Sequence, residues 1–209
     1  MKSYYIYLIR HGMTKANETG CYVGKTDLPL SQNGKAQLID IKNQAEYPKV
    51  DVIYTSPLKR CAETCKIIYP SSNYITVGEL CECDFGDWEG KSAKDLENDE
   101  LFKLWLKDAS KNPPPNGESA SKFTYRICLA FEKIVESLMR SGTTSAAIVT
   151  HSGVLTTLLS SYGIPKAPPM DWMVGPGCGY ALRIDPSLWM RGMVMEVYDK
   201  TPVFNNKEN

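Results

Sequence analysis

Tyr4-Tyr5-Ile6-Tyr7-Leu8-Ile9-Arg10-His11-Gly12 is the stretch that decides the fold. From Tyr4 to Ile9 every side chain is apolar or aromatic, with no polar alternation. That pattern suits a strand covered on both faces, as in a parallel sheet. A second such run, Ala146 to Val149, leads through Thr150 into His151-Ser152-Gly153. The chain has two histidines, and each follows a predicted buried strand. In open α/β sheets ligands bind outside the carboxyl ends of the strands, so both can reach one pocket. Two loop histidines with no common role are the alternative. The neighbours favour the pocket: Arg10 is a planar cation, and Gly12 permits close backbone approach. Gly153 opens a helix whose N-terminus favours an anion. Together these groups suggest a phosphate-sized anion.

The rest of the chain alternates strands and helices. Ser31 is a predicted N-cap for a helix carrying Leu38, Ile41 and Ala45 on one face, and Val50 to Tyr54 reads as a strand. Leu58, Cys61, Ala62, Cys65 and Tyr69 fall at helical spacing, and Tyr74 to Val77 reads as a short strand. A Gly- and Trp-bearing loop follows Cys83, then a charged helix ending in Leu101, Leu104 and Trp105, before Pro113-Pro114-Pro115-Asn116-Gly117 breaks the pattern. Phe123, Ile127, Phe131, Ile134 and Leu138 line one side of a long helix. Ser152 is expected to cap a helix beginning at Val154. Tyr180 to Ile184 and Met193 to Val197 read as late strands, and the tail from Asn205 is polar. The expected fold is α/β: a three-layer sandwich, with a mainly parallel central sheet, helices on both faces and a small helical insertion. One domain spanning 1–209 is expected, with the insertion, cap-like, at about 84–117.

Composition narrows the function. The 209 residues carry 24 Lys plus Arg against 24 Asp plus Glu, and the sequence pI is about 6.7. That balance argues against a nucleic-acid binder or a polybasic membrane-surface protein. No apolar run is long enough to span a bilayer, and Arg10 interrupts the N-terminal run too early for a signal-peptide core. The seven cysteines are odd in number and irregularly spaced, which fits a reduced, cytoplasmic setting better than a disulfide framework. Cys61-x3-Cys65 and Cys81-x-Cys83 lack the paired spacings of a zinc site, and Cys61 and Cys65 read as small hydrophobes on one helix face. Neither metal nor cofactor is expected, and nothing in the pattern assigns an oligomeric state.

Five ordered elements carry a resemblance. Leu8-Ile9-Arg10-His11-Gly12, with Asn17 and Asp27-x-Pro29-Leu30-Ser31 after it, resembles the R-H-G region of the histidine phosphatase superfamily, the phosphoglycerate mutase-like proteins. Thr55-Ser56-Pro57-Leu58-Lys59-Arg60 is similar to that family's segment delivering a phosphate-binding arginine. Leu80-Cys81-Glu82-Cys83-Asp84-Phe85-Gly86-Asp87-Trp88-Glu89-Gly90 is similar to its L-x-E-x-x-F-G-x-W-E-G loop. Pro115-Asn116-Gly117-Glu118-Ser119 and Val149-Thr150-His151-Ser152-Gly153 complete the series.

The resemblance implies that His11 is the nucleophile and becomes a phosphohistidine, with Glu82 as general acid and then base. Arg10, Asn17, Arg60 and His151 would hold the phosphoryl oxygens. Only the motif register selects Glu82 over Asp84, Asp87 and Glu89, and without its context Arg60 reads as a solvated residue in a first helical turn. Thr14 and Glu118 stay outside this core set, and Trp88 and Trp172 are either cleft-lining or core. Met13 stands where many relatives carry an acidic residue. No Arg lies between Arg60 and Arg126, so a second phosphate or carboxylate lacks a bidentate partner there, leaving Lys91, Lys94, Lys103 and Lys107. The expected activity is therefore metal-independent hydrolysis of a small-molecule phosphomonoester, α-ribazole 5′-phosphate or a sugar phosphate. A mutase-type phosphoryl transferase and a non-catalytic phosphate-binding protein are the alternatives.

Overall fold

A computed structural model describes residues 2–205, so the last four residues of the polar tail lie outside it. Among the described residues the chain runs β1 (Tyr4–Arg10), α1 (Lys15–Glu18), α2 (Gln32–Gln44), β2 (Ala45–Glu46), β3 (Val52–Thr55), α3 (Lys59–Ile68) and β4 (Ile75–Thr76). It continues through α4 (Glu100–Lys107), α5 (Ala120–Ser141), β5 (Ser145–Thr150), α6 (Ser152–Tyr162) and β6 (Gly163–Ile164). It ends with β7 (Gly179–Ile184), α7 (Pro186–Gly192), β8 (Met195–Thr201) and β9 (Val203–Phe204). The central sheet has the order β4-β3-β5-β1-β7-β8-β6, and β2 pairs with β9 in a second, two-stranded sheet. Strands β4, β3, β5 and β1 are mutually parallel. Strand β7 runs antiparallel to both β1 and β8. The sheet is thus mostly parallel and flanked by helices, as the sequence predicts.

The unbroken apolar runs follow from this layering. Ile6, Leu8, Ala146 and Ile148 face one cluster with Ile127, Phe131 and Val135 of α5 and Leu155 and Leu158 of α6. Ile9, Ala147 and Val149 face the other, with Leu38 of α2 and Cys61 and Cys65 of α3. Each of these side chains is at most 1% exposed, so an alternating strand would have buried polar groups at every second position. Cys61 and Cys65 do behave as small hydrophobes, and all seven cysteines are unpaired thiols.

Several local expectations shift. The strand expected at 50–54 occupies Val52–Thr55, and the one expected at 74–77 contracts to Ile75–Thr76. Ala45 closes α2 as its C-cap and starts β2 rather than sharing the helix face. Ser152 is not a cap: His151 holds the N-cap position and Ser152 is the first helical residue. Helix α7 is new, although its signal is present: Asp185 caps it through the N–H groups of Ser187 and Leu188, and Pro186 sits at its start. The 84–117 stretch contains α4 and a single turn at Gly86–Trp88. It packs a small cluster of Trp88, Leu96 and Phe102 against Tyr22, Phe85 and Trp105. No described helix is long and apolar enough to cross a membrane.

Candidate active site

Strands β1 and β5 lie side by side in parallel register, with Arg10 opposite Thr150. The next residue on each is a histidine, so both rings leave the same sheet end. The His11 backbone N–H donates to Thr150 O at 2.8 Å, and the ring centroids are 5.1 Å apart. His11 is 6% exposed and His151 fully buried. His11 Nδ1 lies 2.6 Å from the Gly12 carbonyl oxygen, which can only accept. The proton therefore sits on Nδ1, and Nε2 keeps its lone pair. Desolvation, reinforced by the Arg60 and Arg10 charges, pushes the His11 pKa from 6.5 down to about 3, so the ring is a neutral base.

Behind His11 lies a relay of buried polar groups. Arg60 lies in the first turn of α3 and is 1% exposed, despite reading as a solvated helix residue. Its Nε–H donates to His151 Nδ1 at 3.3 Å, and its Nη1 and Nη2 donate to the carbonyls of Thr26 and Gly24 at 2.9 and 2.7 Å. With Nδ1 accepting, His151 carries its proton on Nε2, which donates to Ser56 Oγ at 2.8 Å. Burial first, then the neighbouring His11 and Arg60, drive the His151 pKa well below 6.5. The loop that receives Arg60 is itself fastened by Glu89, whose carboxylate accepts the N–H groups of Gly24, Lys25, Thr26 and Phe85. Glu89 thus tethers the loop behind the histidines, away from the reacting side.

In front of His11 opens a cavity of about 680 Å³ lined by Arg10, Asn17, Glu82 and His11 itself. Arg60 and His151 are not in its wall; they back it. A larger cavity of about 860 Å³ lies beside Tyr7, Tyr47 and Tyr198 and holds neither histidine, so size alone does not select the site. Arg10 Nη1 donates to Val174 O at 2.7 Å, while its buried Nε has no acceptor among the described residues. Asn17 Oδ1 is occupied by the N–H and hydroxyl of Thr14, leaving its amide Nδ2 as the donor. Glu82 is 9% exposed; its oxygens accept from the Cys83 and Gly153 N–H groups at 3.0 and 2.9 Å. Burial nevertheless raises its pKa above the ordinary 4.5, against those two hydrogen bonds and the arginine charges.

Gly12 is needed for packing rather than for a ligand: a Cβ there would lie 2.5 Å from Leu38 Cδ1. Trp88 and Trp172 are core residues, at 1% and 6% exposure, and do not line the cavity. Its apolar wall comes instead from Tyr22, Phe85, Trp105, Phe123 and Met173. Lys91, Lys94, Lys103 and Lys107 are absent from it; the carboxylates and guanidinium in the wall are Arg10, Glu82 and Glu118. Sequence reasoning left out Ser56, Glu89 and Arg126, whose partners lie far away along the chain; Thr14, also set aside there, caps α1 and holds Asn17 locally.

Comparison with known proteins identifies the family. The family model of the histidine phosphatase superfamily (branch 1) matches residues 6–191. The chain is 31% identical over 185 residues to the adenosylcobalamin/alpha-ribazole phosphatase of Salmonella typhimurium, covering 86% of this chain and 90% of that protein. It is 29% identical over 158 residues to a putative phosphoserine phosphatase 2 of Hydrogenobacter thermophilus, covering 74% and 76%. The crystal structure of the alpha-ribazole phosphatase from Shigella flexneri superimposes with a TM-score of 0.81 at 26% identity, covering 98% of this chain and all of that one. The chain is a phosphatase that belongs to branch 1 of the histidine phosphatase superfamily.

Proposed function

We propose that this phosphatase hydrolyses a small phosphomonoester through a phosphohistidine on His11. The observation that carries the proposal is a neutral, buried His11 whose Nδ1 is taken by the Gly12 carbonyl, leaving Nε2 as the basic nitrogen, in the wall of a cavity also lined by Arg10 and Glu82. Nε2 attacks phosphorus as the bond to the ester oxygen breaks, and protonated Glu82 gives its proton to the leaving oxygen. The resulting carboxylate then takes a proton from water, which attacks phosphorus and breaks the P–N bond. Free phosphate and neutral His11 are the outcome, and Glu82 regains its proton.

Charge on the transferring group is spread over its equatorial oxygens, so fixed donors supply most of the stabilisation. On this reading Arg10 and Asn17, both in the cavity wall, supply N–H donors to those oxygens. Arg60 and His151 would act from behind, Arg60 through the protons its carbonyl partners do not use. The two guanidinium groups supply the positive charge, so this mechanism calls for no metal. Chelator should leave the rate unchanged; a loss that added metal restores would contradict the scheme.

The leaving group is proposed to be an alcohol with an uncharged, ring-bearing body, as in α-ribazole 5′-phosphate. Tyr22, Phe85 and Trp105 offer aromatic faces, and beyond Arg10 the wall has no cation for a second anionic group. Relatives named as alpha-ribazole phosphatases support the same reading. A panel of α-ribazole 5′-phosphate, phosphoserine and 3-phosphoglycerate should rank in that order by kcat/KM, with all the phosphate released free. Preference for 3-phosphoglycerate, or phosphate appearing on a sugar-acid acceptor, would replace this reading with the mutase one.

A further inference from the structure

Glu82 sits on a stretch of irregular backbone, not on a regular strand or long helix. A single turn at Gly78–Leu80 precedes it and the Gly86–Trp88 turn follows. A catalytic carboxyl on such a segment needs something else to fix it to a fraction of an ångström. The carbonyls of Glu79, Cys81 and Glu82 all converge on one side chain, Arg126 of α5. Its Nη1 donates to Glu79 O and to Cys81 O, and its Nη2 to Glu82 O at 2.9 Å. The opposite edge of the same guanidinium is gripped by Glu118: Nε to Oε1 and Nη2 to Oε2, both at 2.8 Å. The Glu118 backbone N–H donates to Asp84 O at 2.8 Å, and Thr150 Oγ1 donates to the remaining carbonyl, that of Leu80, at 2.8 Å. Arg126 also stacks over the Phe123 ring, 4.9 Å from its centroid. Its five N–H donors form a planar fork, which is what lets one residue satisfy a carboxylate and three carbonyls together.

We propose that Arg126, locked by Glu118, is a positioning residue that sets the Glu82 carboxyl at the distance needed to protonate the leaving oxygen. It touches no substrate and acts through the backbone of residues 79–82. The proposal rests on the assignment of Glu82 as general acid.

Leaving-group chemistry separates this role from a merely structural one. An alkoxide leaving from β-glycerophosphate needs the proton, whereas p-nitrophenolate leaves largely without it. The quantity to compare is kcat/KM, which reports phosphoryl transfer to His11, for the two substrates in wild type, Glu82→Gln and Arg126→Met; Met preserves an apolar stem against Phe123. Arg126→Met should lower kcat/KM for β-glycerophosphate by about 100-fold but for p-nitrophenyl phosphate by less than about threefold, the same pattern as Glu82→Gln. Equal losses on both substrates would overturn the positioning role if Glu82→Gln itself discriminates. Equal losses in Glu82→Gln would overturn the acid assignment, and this proposal with it. Should Arg126→Met fail to fold, Glu118→Gln decides: it keeps the three carbonyl contacts but weakens the lock. A selective loss on β-glycerophosphate then supports the proposal, and a uniform loss or none overturns it.

Discussion

The backbone N–H of Gly153 donates to Oε2 of Glu82 at 2.9 Å, so the helix that begins after His151 also orients the acidic group across the cavity. A Cβ at this position would stand 2.3 Å from Glu82 Oε1. The glycine is there for the carboxyl and not for its backbone freedom, since it lies in the first turn of α6 with ordinary helical geometry.

Gly153→Ala should therefore separate activity from stability. Alanine suits a helix better than glycine by up to about 1 kcal/mol, so the melting temperature should hold or rise. Displacement of the Glu82 carboxyl should meanwhile lower kcat/KM by about 10- to 100-fold. Thermal melts and initial rates on the same preparation check both halves; a fully active variant would show that Glu82 tolerates displacement.

Acid should unfold the protein through its histidines. The unfolded chain takes up protons near pH 6.5, whereas folded His11 resists until about 3 and folded His151 also stays well below 6.5. Between those values the unfolded state binds more protons. Stability is thus complete above about pH 6.5 and is lost as pH falls, by at most about 1.4 kcal/mol per pH unit for each histidine. Glu82 works the other way: its raised pKa favours the folded state below 4.5 and loses that contribution as pH rises through the folded value. Urea midpoints measured against pH should follow the histidine trend. The Cε1–H resonances of both histidines should stay at their neutral positions as pH falls through 6.5. Titration of either ring near 6.5 would contradict the buried, neutral pair.

The aromatic wall should decide the leaving group. Trp105 lines the cavity and packs against Tyr22 and Phe85, with ring centroids 5.7 and 6.2 Å away. Trp105→Leu keeps the site apolar while removing the ring face. KM for a ring-bearing phosphomonoester should rise about three- to tenfold, the equivalent of one aromatic contact, while β-glycerophosphate is hardly affected. Equal changes in KM for both substrates would mean that the ring packs the cluster without reading the substrate.

Much of this was legible in the chain itself. The doubly apolar runs at Tyr4–Ile9 and Ala146–Val149 specify strands buried on both faces, and the histidines that follow them meet because those strands are neighbours. The antiparallel pairing of β7 with β1 is not legible, because an apolar strand reads the same in either direction. His151 as an N-cap is not legible because the sequence offers Ser152, the better capping residue, one position later. Ser56, Glu89 and Arg126 carry no periodic signal. Their partners are distant loop carbonyls, amides and a ring nitrogen, known only once the chain has folded. Trp88 and Trp172, which the sequence leaves as either cleft-lining or core, are core residues, and the choice is not legible for a related reason. Burial of Trp88 and Trp172, rather than exposure at the mouth, is set by how the 84–117 stretch and the 165–180 loop pack.

The most direct test of the mechanism is to trap the intermediate. The enzyme is mixed with a phosphomonoester labelled in its phosphoryl group, quenched in alkali within a turnover, and digested for peptide mapping. The account predicts one labelled peptide, carrying an alkali-stable, acid-labile phosphoryl group on His11, absent from His11→Ala and chased into free phosphate when the reaction runs on. Turnover with no label on the wild-type chain, or label persisting in His11→Ala, would contradict it.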